Sequence, residues 1–230
     1  MGNIIRVLAL VVELPATVFK CRKRFTGNQR LDGRVVVITG GNGGIGKETA
    51  YQLSLRGPKK IIIGSRNTVT NERAVSELKR RNPGTDVTAL ALDLASLESV
   101  REFAKRVAEI KPIVDVLINN GAARPYADPY TQFRTNYLAR AHIHTKLAMV
   151  LFAKELAKRL KSSGISNVKT YSINPGIIDS RPGADSDISA NILFRCFKTL
   201  FMLPADMGPQ PYLHCALDDE LANESGHFYE

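Results

Sequence analysis

One stretch constrains this chain more than any other. Val35-Val36-Val37-Ile38-Thr39 is a β-branched, apolar run that passes directly into Gly40-Gly41-Asn42-Gly43-Gly44-Ile45-Gly46-Lys47, and a helical pattern follows over 45–56. A short β-branched run ended by glycines reads as a buried strand. Glycines at 40, 44 and 46 allow a tight turn, close approach of backbone to a ligand and close helix–strand packing. The helix N-terminus behind them offers free N–H groups and a partial positive charge to a pyrophosphate. A glycine run alone could be a flexible loop; its place between strand and helix gives it meaning.

The same alternation continues. Gly57-Pro58 stops the first helix, and Lys60-Ile61-Ile62-Ile63-Gly64 is a second strand. A helix over 71–81 ends at Asn82-Pro83-Gly84, and 87–92 is a third strand. A helix over 96–110 with Ser96 as N-cap leads to a fourth strand over 114–118. Continuous apolar strands alternating with helices mean a parallel sheet covered on both faces: an α/β, doubly wound, Rossmann-type domain. The second strand ends at Gly64-Ser65-Arg66, and Arg66 stands where an acid would hold the adenosine ribose hydroxyls of NAD(H). An arginine there suits a 2′-phosphate through a bidentate pair, with Lys47 adding charge nearby, so the expected cofactor is NADP(H).

Composition excludes several other classes. The net charge is +10, but the basic residues are dispersed, and the clusters at Lys20-Cys21-Arg22-Lys23-Arg24 and Lys79-Arg80-Arg81 have no interleaved aromatics. Nucleic acid is therefore not an expected partner, and Lys79–Arg81 reads as a solvated face. Cys21, Cys196 and Cys215 form neither a disulfide framework nor a metal pair. No metal site is expected. Residues 4–19 are mostly apolar, interrupted by Arg6, Glu13 and Pro15, and a basic flank follows at once. That segment is shorter and more polar than a comfortable span of ~20 residues. Its charge lies on the wrong side for a cleaved signal, and Arg6 stands where myristoylation wants Ser or Thr. Residues 1–31 are read as a membrane-anchor-like segment with its flank on the cytosolic side, and 32–230 as the dinucleotide-binding domain. A helix packed on the domain is the other reading of the same segment.

Further motifs carry a family resemblance. Thr39-Gly40-x-x-x-Gly44-x-Gly46 resembles the TGxxxGxG motif of the short-chain dehydrogenase/reductases. Asp93-Leu94 is similar to that family's adenine contact, and Asn119-Asn120-Gly121-Ala122 to its NNAG motif with the last two residues exchanged. Asn136 matches the asparagine that organises the family's proton relay, Lys146 the lysine of its YxxxK motif, and Pro175-Gly176 its PG motif. The text over 147–160, 204–208 and 225–229 is similar to the retinol dehydrogenase branch. The resemblance implies cofactor contacts from Thr39, Gly40, Asn42, Gly44, Ile45, Gly46, Lys47, Arg66, Asp93, Leu94, Asn120, Gly121, Lys146, Pro175 and Gly176. It implies catalytic roles for Asn136 and Lys146, an apolar alcohol or carbonyl such as a retinoid as substrate, and membrane association. The endoplasmic reticulum with the domain facing the cytosol fits that branch; mitochondrial or cytosolic placement stays open.

Two departures from the family pattern stand out. His142, not tyrosine, lies four residues before Lys146. Histidine can exchange protons near neutral pH, but a shorter ring places its proton elsewhere. Secondly, the family puts a helix, a strand and a catalytic serine between the fourth strand and the helix carrying Lys146. Those need roughly 25 residues or more; residues 122–141 include Arg124-Pro125-Tyr126-Ala127-Asp128-Pro129 and no β-branched run. The expected fold therefore lacks one strand and helix, and the sheet is expected to close up through a crossover from 114–118 via a helix over 141–161 to a strand over 168–173. Two functions follow: an NADP(H)-dependent oxidoreductase, or a catalytically impaired dinucleotide-binding chain.

Overall fold

The computed structural model describes residues 24–121, 135–176, 178 and 203–229, with 135–146 described by backbone alone. Four parallel strands form the main sheet: β1 (Val35–Thr39), β2 (Lys60–Ser65), β3 (Val87–Ala91) and β4 (Val116–Ile118), in the order β3-β2-β1-β4. Val36 lies opposite Ile61 on one side and Val116 on the other.

The alternation of side chains along β1 and β2 divides the core in two. Val36, Ile38, Ile61 and Ile63 join Leu31, Ala50, Leu53, Leu78, Leu213 and Leu217 on one face. Val35, Val37 and Ile62 join Leu92, Phe103 and Val107 on the other. Helices α1 (Gly44–Ser54) and α2 (Thr68–Arg81) therefore cover the first face, and α3 (Leu97–Ile110) covers the second. Buried on both faces, β1 and β2 have no need of polar alternation, which is why they read as continuous apolar runs.

Caps set the helix starts. Asn67 Oδ1 accepts from the Thr70 N–H, so α2 begins at Thr68, one turn before the start at Asn71 expected from sequence. Ser96 caps α3 as expected, accepting from the Ser99 N–H. Lys79 and Arg80 are exposed, but Arg81 is not a solvated charge: it pairs with Glu48 at 2.8 Å and lies 3.3 Å over the Tyr51 ring.

The expected closure of the sheet is not what forms. β5 (Tyr171–Ile173) pairs in parallel with β6 (His227–Tyr229) in a separate two-stranded sheet. Among the described residues the outer edge of β4 has no partner strand, and Leu117 on it is 59% exposed. β5 is instead taken up by β6, whose three residues pair with it along its whole length. Helix α4 (Thr135–Ser162) precedes β5 and is continuous over 28 residues, longer than the expected 141–161. Helix α5 (Gln210–Leu217) returns to the first core face.

Packing begins before Asp32. Leu31 is fully buried, the Phe25 N–H donates to Gln210 Oε1 at 2.8 Å, and Arg56 Nη1 donates to the Gly27 carbonyl at 2.5 Å. Among the described residues no helix is long and apolar enough to cross a membrane. The segment 4–19 lies outside them.

Candidate functional site

The carboxyl ends of the four strands gather at one edge, where open parallel sheets place their ligands. At its centre is the loop from β1 to α1. Gly40 (φ 66°) and Gly44 (φ 52°) hold left-handed backbone, which a side chain would strain. The Gly40 N–H donates to the Gly64 carbonyl of β2 at 2.7 Å. From the β4 side, Asn120 Nδ2 donates to the Thr39 carbonyl at 3.1 Å and the Gly40 carbonyl at 3.3 Å, and the Gly121 N–H donates to Thr39 Oγ1 at 2.9 Å. Neighbouring strands thus stitch the loop from both sides.

Close packing explains two further glycines. A Cβ on Gly46 would stand 2.4 Å from both Asn120 Nδ2 and the Gly40 carbonyl oxygen. A Cβ on Gly121 would stand 3.0 Å from Thr39 Oγ1 and 3.0 Å from Leu94 Cδ1. Gly43 differs: its backbone is extended, and nothing lies within 4 Å of where its Cβ would be. Space is therefore open above the loop. The first bond of α1 runs from the Lys47 N–H to the Gly43 carbonyl. The N–H groups of Gly44, Ile45 and Gly46 precede that ladder and are the donors an anion would meet.

Arg66 follows β2 and is exposed. Among the described residues its guanidinium has no hydrogen-bond or ion-pair partner. Behind it, Ser65 Oγ donates to Asn71 Oδ1 at 2.5 Å, and Asn71 Nδ2 donates to the Ser65 and Leu90 carbonyls. This buried asparagine fixes the strand end that carries Arg66. Lys47 is placed differently from the expectation: its Nζ pairs with Glu77 Oε2 at 2.6 Å on α2, so its charge is largely compensated. Asp93 closes its own turn, with Oδ1 accepting from the Ala95 N–H at 3.0 Å, and Leu94 is half exposed beside Gly121. Asn42 Nδ2 donates to Thr70 Oγ1 at 2.8 Å, a link that 28 residues of separation hid from the sequence.

The structure brings Thr39, Gly40, Gly44, Ile45, Gly46, Asn120 and Gly121 into one loop cluster, with Arg66, Asp93 and Leu94 at neighbouring strand ends. Pro175 and Gly176 follow β5, on the second sheet; Gly176 has φ 79°, and its N–H donates to Asn174 Oδ1 at 3.0 Å. Asn136, His142 and Lys146 all lie on the single helix α4, with His142 and Lys146 one turn apart. Their side chains lie outside the described residues.

The short chain dehydrogenase family model matches residues 34–137, from β1 to the first turn of α4. Human retinol dehydrogenase 12 is 32% identical to this chain, over 90% of the chain and 82% of that protein. The chain belongs to the short-chain dehydrogenase/reductase family. Within the family it falls in the retinol dehydrogenase-like branch; retinol dehydrogenase 13 of Mus musculus is 29% identical over 87% of the chain and 76% of that protein. The alignment to human retinol dehydrogenase 12 is 266 positions long, more than the 230 residues of this chain, so that relative carries segments with no counterpart here. Among solved structures, L-sorbose reductase from Gluconobacter frateurii, complexed with NADPH and L-sorbose, superposes with a TM-score of 0.70 at 18% identity. It covers 88% of this chain and 96% of its own. An NADPH-bound short chain oxidoreductase from Pseudomonas aeruginosa PAO1, with an atypical catalytic center, gives 0.66 at 17% identity, covering 87% and 96%. At these identities the likeness is one of fold.

Proposed function

We propose that this family member is an NADP(H)-dependent oxidoreductase for an apolar alcohol or carbonyl of retinoid type. The observation that carries the cofactor choice is Arg66, an uncompensated guanidinium at the end of β2 where a 2′-phosphate would lie. The loop fits the rest of the dinucleotide: open space above Gly43, three N–H groups ahead of the α1 ladder, and a helix N-terminus behind them. The cofactor, when bound, supplies or accepts a hydride at the substrate carbon. The chain's own residues bind and orient. Thr39, Asn120 and Gly121 hold the loop rigid, the amides of Gly44–Gly46 receive pyrophosphate, and Leu94 offers an apolar surface to the adenine. Lys146 and Asn136 on α4 are the remaining members of the proton relay to the substrate oxygen. Resemblance to retinol dehydrogenases supports the substrate class, and the apolar, basic-flanked segment 4–19 supports membrane association with the domain on the cytosolic side.

A second reading, a dinucleotide-binding chain with little turnover, rests on one observation. Among the described residues β4 has no outer partner, and Asn136 and Lys146, which resemble the family's relay residues, lie on one uninterrupted helix. Neither a strand nor a serine is inserted between them.

The test of the cofactor reading is a comparison of dissociation constants for NADPH and NADH in the parent and in Arg66→Asp. The parent binds NADPH more tightly, and Arg66→Asp reverses the preference. Equal affinities in the parent would overturn it.

A further inference from the structure

We infer that Thr70 is a positioning residue for cofactor choice, holding the pyrophosphate loop at a fixed separation from Arg66. The inference rests on the reading of Arg66 given above. Asn42, in the middle of the glycine loop, donates through Nδ2 to Thr70 Oγ1 at 2.8 Å. The same hydroxyl donates to the Asn67 carbonyl at 3.0 Å, and the Thr70 N–H donates to Asn67 Oδ1 at 3.0 Å. Asn67 is the next residue after Arg66. A single hydroxyl, used as both donor and acceptor, therefore joins the loop after β1 to the turn that carries the arginine. Among the described residues the other polar ties between α1 and α2, Lys47 to Glu77, Arg81 to Glu48 and Tyr51, and Asn82 to Ser54, lie farther along both helices.

The consequence follows from the ligand's shape. A pyrophosphate on the loop and a 2′-phosphate at Arg66 belong to one molecule, so the two receiving groups must sit at one separation. A bidentate arginine–phosphate pair is sensitive to that geometry. NADH has no 2′-phosphate and reports on the loop alone. Loss of the Thr70 hydroxyl leaves Asn42 without its acceptor and frees the loop from the Arg66 turn. NADPH affinity then falls while NADH affinity changes little. The mechanism differs from removing Arg66, because the charge remains in place.

The experiment is a fluorescence titration of the full chain with NADPH and with NADH, alongside melting temperatures. Thr70→Val raises the NADPH Kd about fivefold, the worth of one net hydrogen bond, with little change for NADH. Thr70→Ser keeps the parent ratio. Asn42→Ala, which leaves the cap of α2 intact and serves if Thr70→Val does not fold, shifts the ratio in the same direction, and the double variant adds little to either. An unchanged ratio in Thr70→Val or Asn42→Ala, or equal weakening of both cofactors, overturns the inference. Arg66→Ala separates the two claims. If it abolishes the preference while Thr70→Val leaves it intact, the arginine reads the phosphate without this clamp. If Arg66→Ala also leaves the ratio unchanged, the reading of Arg66 has failed, and this inference fails with it.

Discussion

Gly46→Ala and Gly43→Ser, three residues apart in one loop, are expected to behave in opposite ways. At Gly46 an added Cβ would approach the Gly40 carbonyl oxygen and Asn120 Nδ2 at 2.4 Å each. Gly40 is backbone in a left-handed conformation and cannot give easily. Asn120 can move, but doing so gives up its bonds to the Thr39 and Gly40 carbonyls. Overpacking costs about 1–3 kcal/mol and each lost hydrogen bond about 1 kcal/mol. Alanine recovers up to about 1 kcal/mol of helix propensity. The net expectation is a loss of about 2–4 kcal/mol, together with weakened cofactor binding. At Gly43 the backbone is extended (φ −167°), no atom lies within 4 Å, and the position is the N-cap of α1, where serine is favoured. Gly43→Ser should stay within about 0.5 kcal/mol of the parent. Urea unfolding with unchanged m-values measures both. A Gly46→Ala chain as stable as the parent, or a Gly43→Ser chain as damaged as Gly46→Ala, refutes the account of the loop.

Two further expectations concern the rest of the chain. Removing residues 1–23, a cut that leaves Arg24 on Asp206, should shift the expressed protein from the membrane to the soluble fraction; a full-length chain found wholly soluble would defeat the anchor. Burial pushes the Cys215 thiol up to about 12. Its thiolate is therefore scarce at pH 8, and alkylation of that residue, followed by mass spectrometry, should be slow in the folded chain and fast in urea; equal rates would contradict its burial.

Much of the cluster at the carboxyl ends of the strands was legible from local pattern. The β-branched run at 35–39, the glycines after it and the arginine after the second strand each signal through neighbouring residues. The structure brings them to one edge because parallel strands align their carboxyl ends. What sequence could not show depends on distant partners. Lys47 looked like a free cation beside the phosphates, but Glu77, a whole strand and most of a helix away, takes its charge. Thr70 carried no signal as a tether because its partner Asn42 lies on another element. The start of α2 was missed by one turn because the apolar residue of its first turn, Val69, is exposed and does not continue the buried face of Ala74 and Leu78. The closure of the sheet was misjudged because β5 found its partner in His227–Tyr229, a segment too short to be read as a strand. The proposed catalytic residues Asn136, His142 and Lys146 were legible only through family resemblance. Backbone places all three on α4, and their chemistry must be read in solution.

That chemistry is tested most directly by isotope transfer. The full chain is mixed with a retinal-like aldehyde and NADPH carrying deuterium at the transferable position, and the alcohol is followed by mass spectrometry beside human retinol dehydrogenase 12. With His142 in place of tyrosine, general acid catalysis worth about 10²–10⁴-fold is reduced. The account predicts deuterated alcohol above the protein-free control, formed roughly that much more slowly than by the relative, with a faster rate in His142→Tyr and no further loss in His142→Ala. Bound NADPH with no deuterium in the alcohol would contradict it and leave a cofactor-binding chain without turnover.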